Sequence, residues 1–147
     1  MAGDPEKWRP ANRETADHSM PYTAAVALRY GSVDQHHFDD QFLSDPELLD
    51  LVSKVKVSVS VEANRRAPEA MLCKVEVLTK SGQQYSSEVA YHKGHFKNPL
   101  SDAEVEAKFR RLSADVLTPG QCDRALQLIW SLEELPALEE LFDSLAV

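Results

Sequence analysis

The chain has 147 residues, with 24 acidic against 16 basic side chains and a formal charge of −8; 43% of residues are hydrophobic and 27% charged. That length and balance suit one soluble globular domain, long enough to bury a core without disulfide staples. The acidity excludes a nucleic-acid partner, whose phosphates demand a basic footprint. No apolar run nears the ~20 residues of a bilayer span and no charged-then-apolar leader opens the chain, so no membrane partner and a cytoplasmic location are expected.

Residues 1–12, within "MAGDPEKWRPANRE", are polar and proline-rich and read as an extended N-terminal arm. Met20 to Tyr30 follows as a short, mostly buried helix closed by Gly31 as a left-handed cap. Four stretches fit the capping box, in which a hydroxyl and the side chain three residues on satisfy each other's orphan amides: Ser32–Gln35, Ser44–Glu47, Ser101–Glu104 and Thr118–Gln121. The pair His36-His37 is expected on a helix surface, because neighbours on a helix point about 100° apart and cannot share an ion well. In the middle of the chain the period changes to two. Val55, Val57, Val59 and Val61 alternate with Lys56, Ser58 and Ser60; Cys73, Val75 and Val77 alternate with Lys74 and Glu76; Tyr85, Val89 and Tyr91 share one side. Alternation of this kind predicts half-buried strands, with "KSGQQ" as the turn of a hairpin and "NRRAPEA" as the loop joining the first two.

Beyond Ser101, the residues Val105, Phe109, Leu112 and Val116 trace one apolar helix face, and Ala125, Leu126, Ile129 and Leu132 trace another after Thr118. The fold class expected is α+β: an antiparallel sheet of at least three strands with flanking helices. Cys73 and Cys122, the only cysteines, are too few for a disulfide framework or an iron–sulfur cluster and read as reduced and buried. Trp8 and Trp130 read as packing anchors. The closing "LEELPALEELFDSL" presents Leu132, Leu135, Leu138, Leu141 and Leu145, too many leucines for a lone surface helix, which predicts self-association into a homo-oligomer.

The stretch "RETADHS", residues 13–19, packs charge and an imidazole ahead of a helix start. Ser19 is a natural N-cap, with Pro21 tolerated in the first turn. The amides of that turn and the helix dipole make a corner suited to a carboxylate, to which Arg13 can add a bidentate grip. His18, with an ordinary pKa near ~6.5, is placed to take or give a proton, and Asp17 to orient it or to cap the helix. On local physics alone a structural cap is the plainer reading. A second basic stretch, "AYHKGHFKNPLS", carries His92, Lys93, His95 and Lys97 in an acidic protein. Its two histidines lack a third metal ligand at a useful spacing, so a solvated loop that helps close a cleft is expected there.

"RETADHSMPY" with "VALRYGSVDQHHF", then "DPELLDLVSKVKV", "KSGQQYSSEV" and "GHFKNPLSDAEVEAKF", resemble in order the MmgE/PrpD family, which includes 2-methylcitrate dehydratase, cis-aconitate decarboxylase and iminodisuccinate epimerase. The resemblance implies that residues 13–134 are that family's smaller α+β lid domain and that residues 135–147 are a helix which would pack on a large helical domain. It implies a hydro-lyase type of activity on small di- or tricarboxylates, by acid/base chemistry without metal or organic cofactor. It also implies that His18 lines the active site and that Arg13 stands where some members carry a lysine; an arginine binds or polarises a carboxylate but does not readily give up a proton. Catalytic residues in the family come from both domains. The expectation is therefore a chain inactive alone, with His18 catalytic, Arg13, Asp17 and Ser19 substrate-binding, and a separately encoded helical subunit as partner. The alternative is a truncated, non-catalytic remnant or a carboxylate-binding or assembly module.

Overall fold

A computed structural model describes residues 4–146, so the first three residues of the arm and Val147 lie outside the described residues. Helices and one antiparallel hairpin are distributed over two compact units, Met1–Arg65 and Arg66–Val147, a division that falls within the stretch 13–134. No helix among the described residues is long and apolar enough to cross a membrane.

The first unit is helical. After a 3-10 turn at Pro5–Trp8 come α1 (Arg13–Asp17), α2 (Met20–Tyr30), a second 3-10 turn at Gln35–Phe38, α3 (Asp40–Leu43), α4 (Pro46–Lys54) and α5 (Val61–Arg66). Each start has a local cause. Asn12 Oδ1 accepts from the Thr15 amide at 2.9 Å, and Ser19 Oγ accepts from the Tyr22 amide at 3.1 Å. Gly31, at φ 77°, closes α2 in the left-handed region that other residues avoid. Two caps differ from the expected boxes. Asp45, not Ser44, caps α4 by accepting from the Glu47 and Leu48 amides at 2.9 and 3.3 Å. Asp34, not Ser32, precedes the second 3-10 turn, and its amide donates to His37 Nδ1 at 3.0 Å.

Tyr22, Ala25 and Val26, spaced three and four apart on α2, meet Leu48 and Val52, four apart on α4. With Ala16 of α1 they form a fully buried core, edged by Trp8, Phe38, Phe42, Leu43 and Leu51. Trp8 is an anchor, as expected: its Nε1 donates to the Val55 carbonyl at 2.9 Å. His37 is not on the surface. Only 3% of it is exposed, because Tyr22 donates its hydroxyl to the His37 carbonyl at 2.6 Å and holds that turn against the core.

The strand expected over 55–61 does not form. Residues 55–60 have no regular structure, and Val61 opens α5, where Ser60 Oγ accepts from the Ala63 amide at 3.2 Å. Alternation marks two chemically different faces, but a strand exists only where a neighbour pairs its amides. Val59 and Val61 are 79% and 84% exposed, so burial does not enforce the pattern either.

In the second unit β1 (Cys73–Leu78) pairs with β2 (Gln84–Val89), Cys73 opposite Val89 and Leu78 opposite Gln84. The sheet thus has two antiparallel strands rather than three or more. Gly82, at φ 84°, makes the turn possible. Register puts Cys73, Val75 and Val77 on one face with Tyr85 and Val89, yet Val75, Tyr85 and Val89 are 43–58% exposed. Cys73 is exposed with them, against the expectation of burial, while Cys122 is buried.

The helices α6 (Asp102–Ser113) and α7 (Pro119–Trp130) begin at the two expected capping boxes, with Ser101 and Glu104, then Thr118 and Gln121, satisfying each other's amides. Leu117, Cys122, Ala125, Leu126 and Leu128 form the buried side here. On α6 Val105 and Leu112 are exposed, and so is Val116, which the sequence pattern put on the same face but which lies in the turn beyond Ser113. Trp130 is half exposed and donates its indole N–H to Glu106 at 2.9 Å. The last helix, α8 (Glu139–Ser144), packs back on α7 through an Arg124–Glu140 ion pair and a 2.8 Å bond from Gln121 Nε2 to the Ala146 carbonyl.

Candidate functional site

The stretch 13–19 folds as a corner between two helices. α1 ends at His18, and Ser19 begins the next turn by capping α2, its amide donating to the Ala16 carbonyl at 3.0 Å. Ala16 and Ser19 are buried and anchor the corner, while Asp17 and His18 are left on the outside.

His18 Nδ1 lies 3.0 Å from the Glu14 carbonyl and against Asp17 Oδ1. Both neighbours are acceptors, so Nδ1 must carry a hydrogen, and the neutral ring keeps its lone pair on Nε2. The bond to the Glu14 carbonyl first, then the bond and charge of Asp17, raise the His18 pKa above the ordinary 6.5; Lys7 opposes this. The result is a solvent-facing imidazole with a fixed tautomer and strengthened basicity, the arrangement a general base needs.

The other expected site residues separate. Asp17 does orient the imidazole. Ser19 is fully buried, and its hydroxyl is spent on the Lys7 carbonyl and the Tyr22 amide, so it holds the corner in shape rather than facing a ligand. The expected nest of amides is largely used up as well: Tyr22 N is capped, Thr23 N bonds the Ser19 carbonyl at 3.0 Å, and Pro21 has no N–H. Arg13 pairs with Asp39 at 3.9 Å, both side chains half exposed or more. Five positions along an α-helix leave two side chains about 140° apart, so Arg13 and His18 do not face one way. The positive charge that acts on His18 is that of Lys7, in the turn at Pro5–Trp8. Nothing in the spacing of "RETADHS" points to a lysine upstream in the arm.

His37 is the second residue the sequence hid. Its ring packs against Tyr30, Phe42 and His36, with centroids 4.8, 5.2 and 4.0 Å away. Burial first, then the neighbouring His36, lower its pKa below 6.5, while Asp34 pulls the other way. The unfolded chain therefore binds the proton more readily than the folded one. Stability is full above about pH 6.5 and is lost as pH falls from there through the lowered folded value. Urea unfolding of the first unit should weaken over that window, and His37→Gln should flatten the dependence; an unchanged dependence in the variant would assign it to another group.

Among the described residues no group of three or more His, Cys, Asp or Glu side chains is placed to hold a metal ion. His92 and His95 stand edge to face, with centroids 5.5 Å apart.

The comparisons with known proteins bear on this corner. Cis-aconitate decarboxylase from Homo sapiens is 25% identical over 126 residues, which is 86% of this chain and 26% of that protein. The enzyme from Mus musculus gives the same figures. A cis-aconitate decarboxylase-like protein, oryM, from Aspergillus oryzae is 27% identical over 135 residues, 90% of this chain and 27% of its own length. The chain thus spans about a quarter of the relatives it matches. The family described as MmgE/PrpD C-terminal domain matches residues 1–134, a span that takes in the corner at His18, the hairpin and both capped helices. With nine-tenths of its length matched in this way, the chain belongs to the MmgE/PrpD family through that C-terminal domain.

Proposed function

We propose that this chain is the C-terminal part of a lyase acting on small di- or tricarboxylates by acid/base chemistry, working together with the helical half that such an enzyme needs. The observation that carries the reading is His18, whose Nδ1–H is tied to Asp17 and the Glu14 carbonyl so that Nε2 faces outward as the basic atom. Removing a proton from carbon beside a carboxylate needs such a base together with cations that stabilise the developing charge. Lys7 is a cation whose charge acts on the imidazole. Arg13 is turned toward Asp39 and away from His18, so it is not the cation invoked here.

The open apolar faces support the second half of the reading. Val75, Tyr85 and Val89 on the hairpin, Val105 and Leu112 on α6 and Val116 in the turn after it are apolar surface without cover, of the kind that marks an interface. The relatives' name, cis-aconitate decarboxylase, supplies the first substrate to try; 2-methylcitrate is the second. The test is reconstitution: mix this chain with the helical half of a family member and assay both substrates. Turnover by the mixture and by neither part alone is the expected result. A stable complex that turns over neither compound would overturn the reading.

A further inference from the structure

Residues 89–101 contain no aspartate or glutamate, although acids make up 24 of the 147 residues, and they include His92, Lys93, His95 and Lys97. The segment 91–98 is tied into a tight loop by its own bonds. The Gly94 amide donates to the Asn98 carbonyl at 2.9 Å, the Asn98 amide to the His95 carbonyl at 2.7 Å, and Asn98 Nδ2 to the Tyr91 carbonyl at 2.9 Å. Gly94, at φ 92°, allows the reversal. The side chains that this loop carries are therefore held in place before any ligand arrives.

Two cations meet at one phenol. Lys97 Nζ donates to the Tyr91 hydroxyl at 3.1 Å and lies 4.8 Å from the ring centroid. The Arg66 guanidinium also acts on that hydroxyl, and together the two lower the Tyr91 pKa, Lys97 more strongly. Among the described residues neither Lys97 nor Arg66 pairs with a carboxylate, whereas Lys93 is spent on Glu104 at 2.9 Å. Because the Tyr91 oxygen accepts from Lys97, its own hydrogen is left to donate elsewhere. The His95 ring stacks on Tyr91 with centroids 4.9 Å apart. Its Nδ1 accepts from the Lys97 amide at 3.1 Å, which puts the hydrogen of the neutral ring on Nε2. Donors of four kinds (ammonium, guanidinium, phenol and imidazole) thus gather at one spot that has no negative charge of its own. Like charges brought together in an acidic protein are stabilised by an anion between them.

We propose that Arg66, Tyr91, His95 and Lys97 form a binding site for a small, multiply charged oxyanion, a carboxylate or a phosphate. The site lies in the second unit and does not rest on the role given to His18. The experiment titrates the full chain with malonate and, separately, with inorganic phosphate at constant ionic strength, following the backbone amide resonances of Gly94 to Asn98. Saturable shifts with either anion are expected, and the tighter of the two identifies the ligand class. Lys97→Gln and Arg66→Gln should each weaken binding about tenfold, the loss expected of one charge-assisted hydrogen bond. Lys97→Arg should retain it, and Lys80→Gln, in the hairpin turn, should leave it unchanged. The rest of the amide spectrum reports whether each variant is folded. Shifts that rise linearly with both anions, or an affinity in both charge-removing variants that matches the parent chain's, would overturn the proposal.

Discussion

Replacing His18 with alanine in the reconstituted enzyme is expected to lower kcat by about 10²- to 10⁴-fold, the range for losing a positioned proton-transfer group. The side chain is exposed and adds nothing to the buried core, so the urea midpoint should move little. Loss of rate without loss of fold separates chemistry from architecture. The pH profile gives an independent reading. If Nε2 is the base, the rate climbs with pH as His18 loses its proton, through a value above the ordinary 6.5. Asp17→Asn removes one of the two partners that raise that value, so the rising limb should shift to lower pH while Glu14's carbonyl still holds the tautomer. Undiminished turnover in His18→Ala would take the residue out of the mechanism. A limb that stays in place in Asp17→Asn would take Asp17 out of it.

The corner was legible because its cause is local. A cap followed by proline, an alanine-rich run and a terminal glycine specify α2 from Met20 to Tyr30, and the structure gives the same bounds. The boxes at Ser101 and Thr118 were legible for the same reason, since each partner is three residues from the other. What escaped is what depends on distant chain. The valines over 55–61 alternate as a strand's would, but no second strand offers them its amides, and Ser60 starts a helix instead. His37 looked like a surface residue until the Tyr22 hydroxyl, fifteen positions away, seized its carbonyl and drew the turn inward. Lys7 acts on the imidazole by its charge from a turn in the arm whose own start, Asp4 accepting from the Glu6 amide, is local but whose landing place is not. Arg13 was assigned the His18 side of the corner by proximity in sequence; helical geometry turns it toward Asp39.

The core under the corner sets the other large effect. Leu48 is fully buried on α4 among Tyr22, Val26 and Val52, and Ala16 of α1 belongs to the same cluster. Leu48→Ala removes the contacts of the lost atoms and leaves a void that a close-packed interior only partly fills, at a cost of about 2–5 kcal/mol. A small domain has a total stability of about 5–15 kcal/mol, and a unit of this size sits toward the lower end. The variant should therefore hold a large unfolded fraction of the first unit at neutral pH and 37 °C (~310 K, where such margins are routinely lost). Its signature is the collapse of amide resonances between Asp4 and Lys54, with those of α6 and α7 as the internal comparison. Leu48→Met, which nearly conserves volume, should cost less than about 1.5 kcal/mol and keep the spectrum dispersed. Because Ala16 and Ser19 hold the corner through this core, loss of Leu48 packing should also free the His18 ring from its tautomer-fixing contacts. Its titration should then drift back toward ~6.5, the value of an unconstrained imidazole. A Leu48→Ala chain that keeps both its urea midpoint and a raised His18 pKa would mean that the corner is held by its own caps alone and that the core beneath it is dispensable.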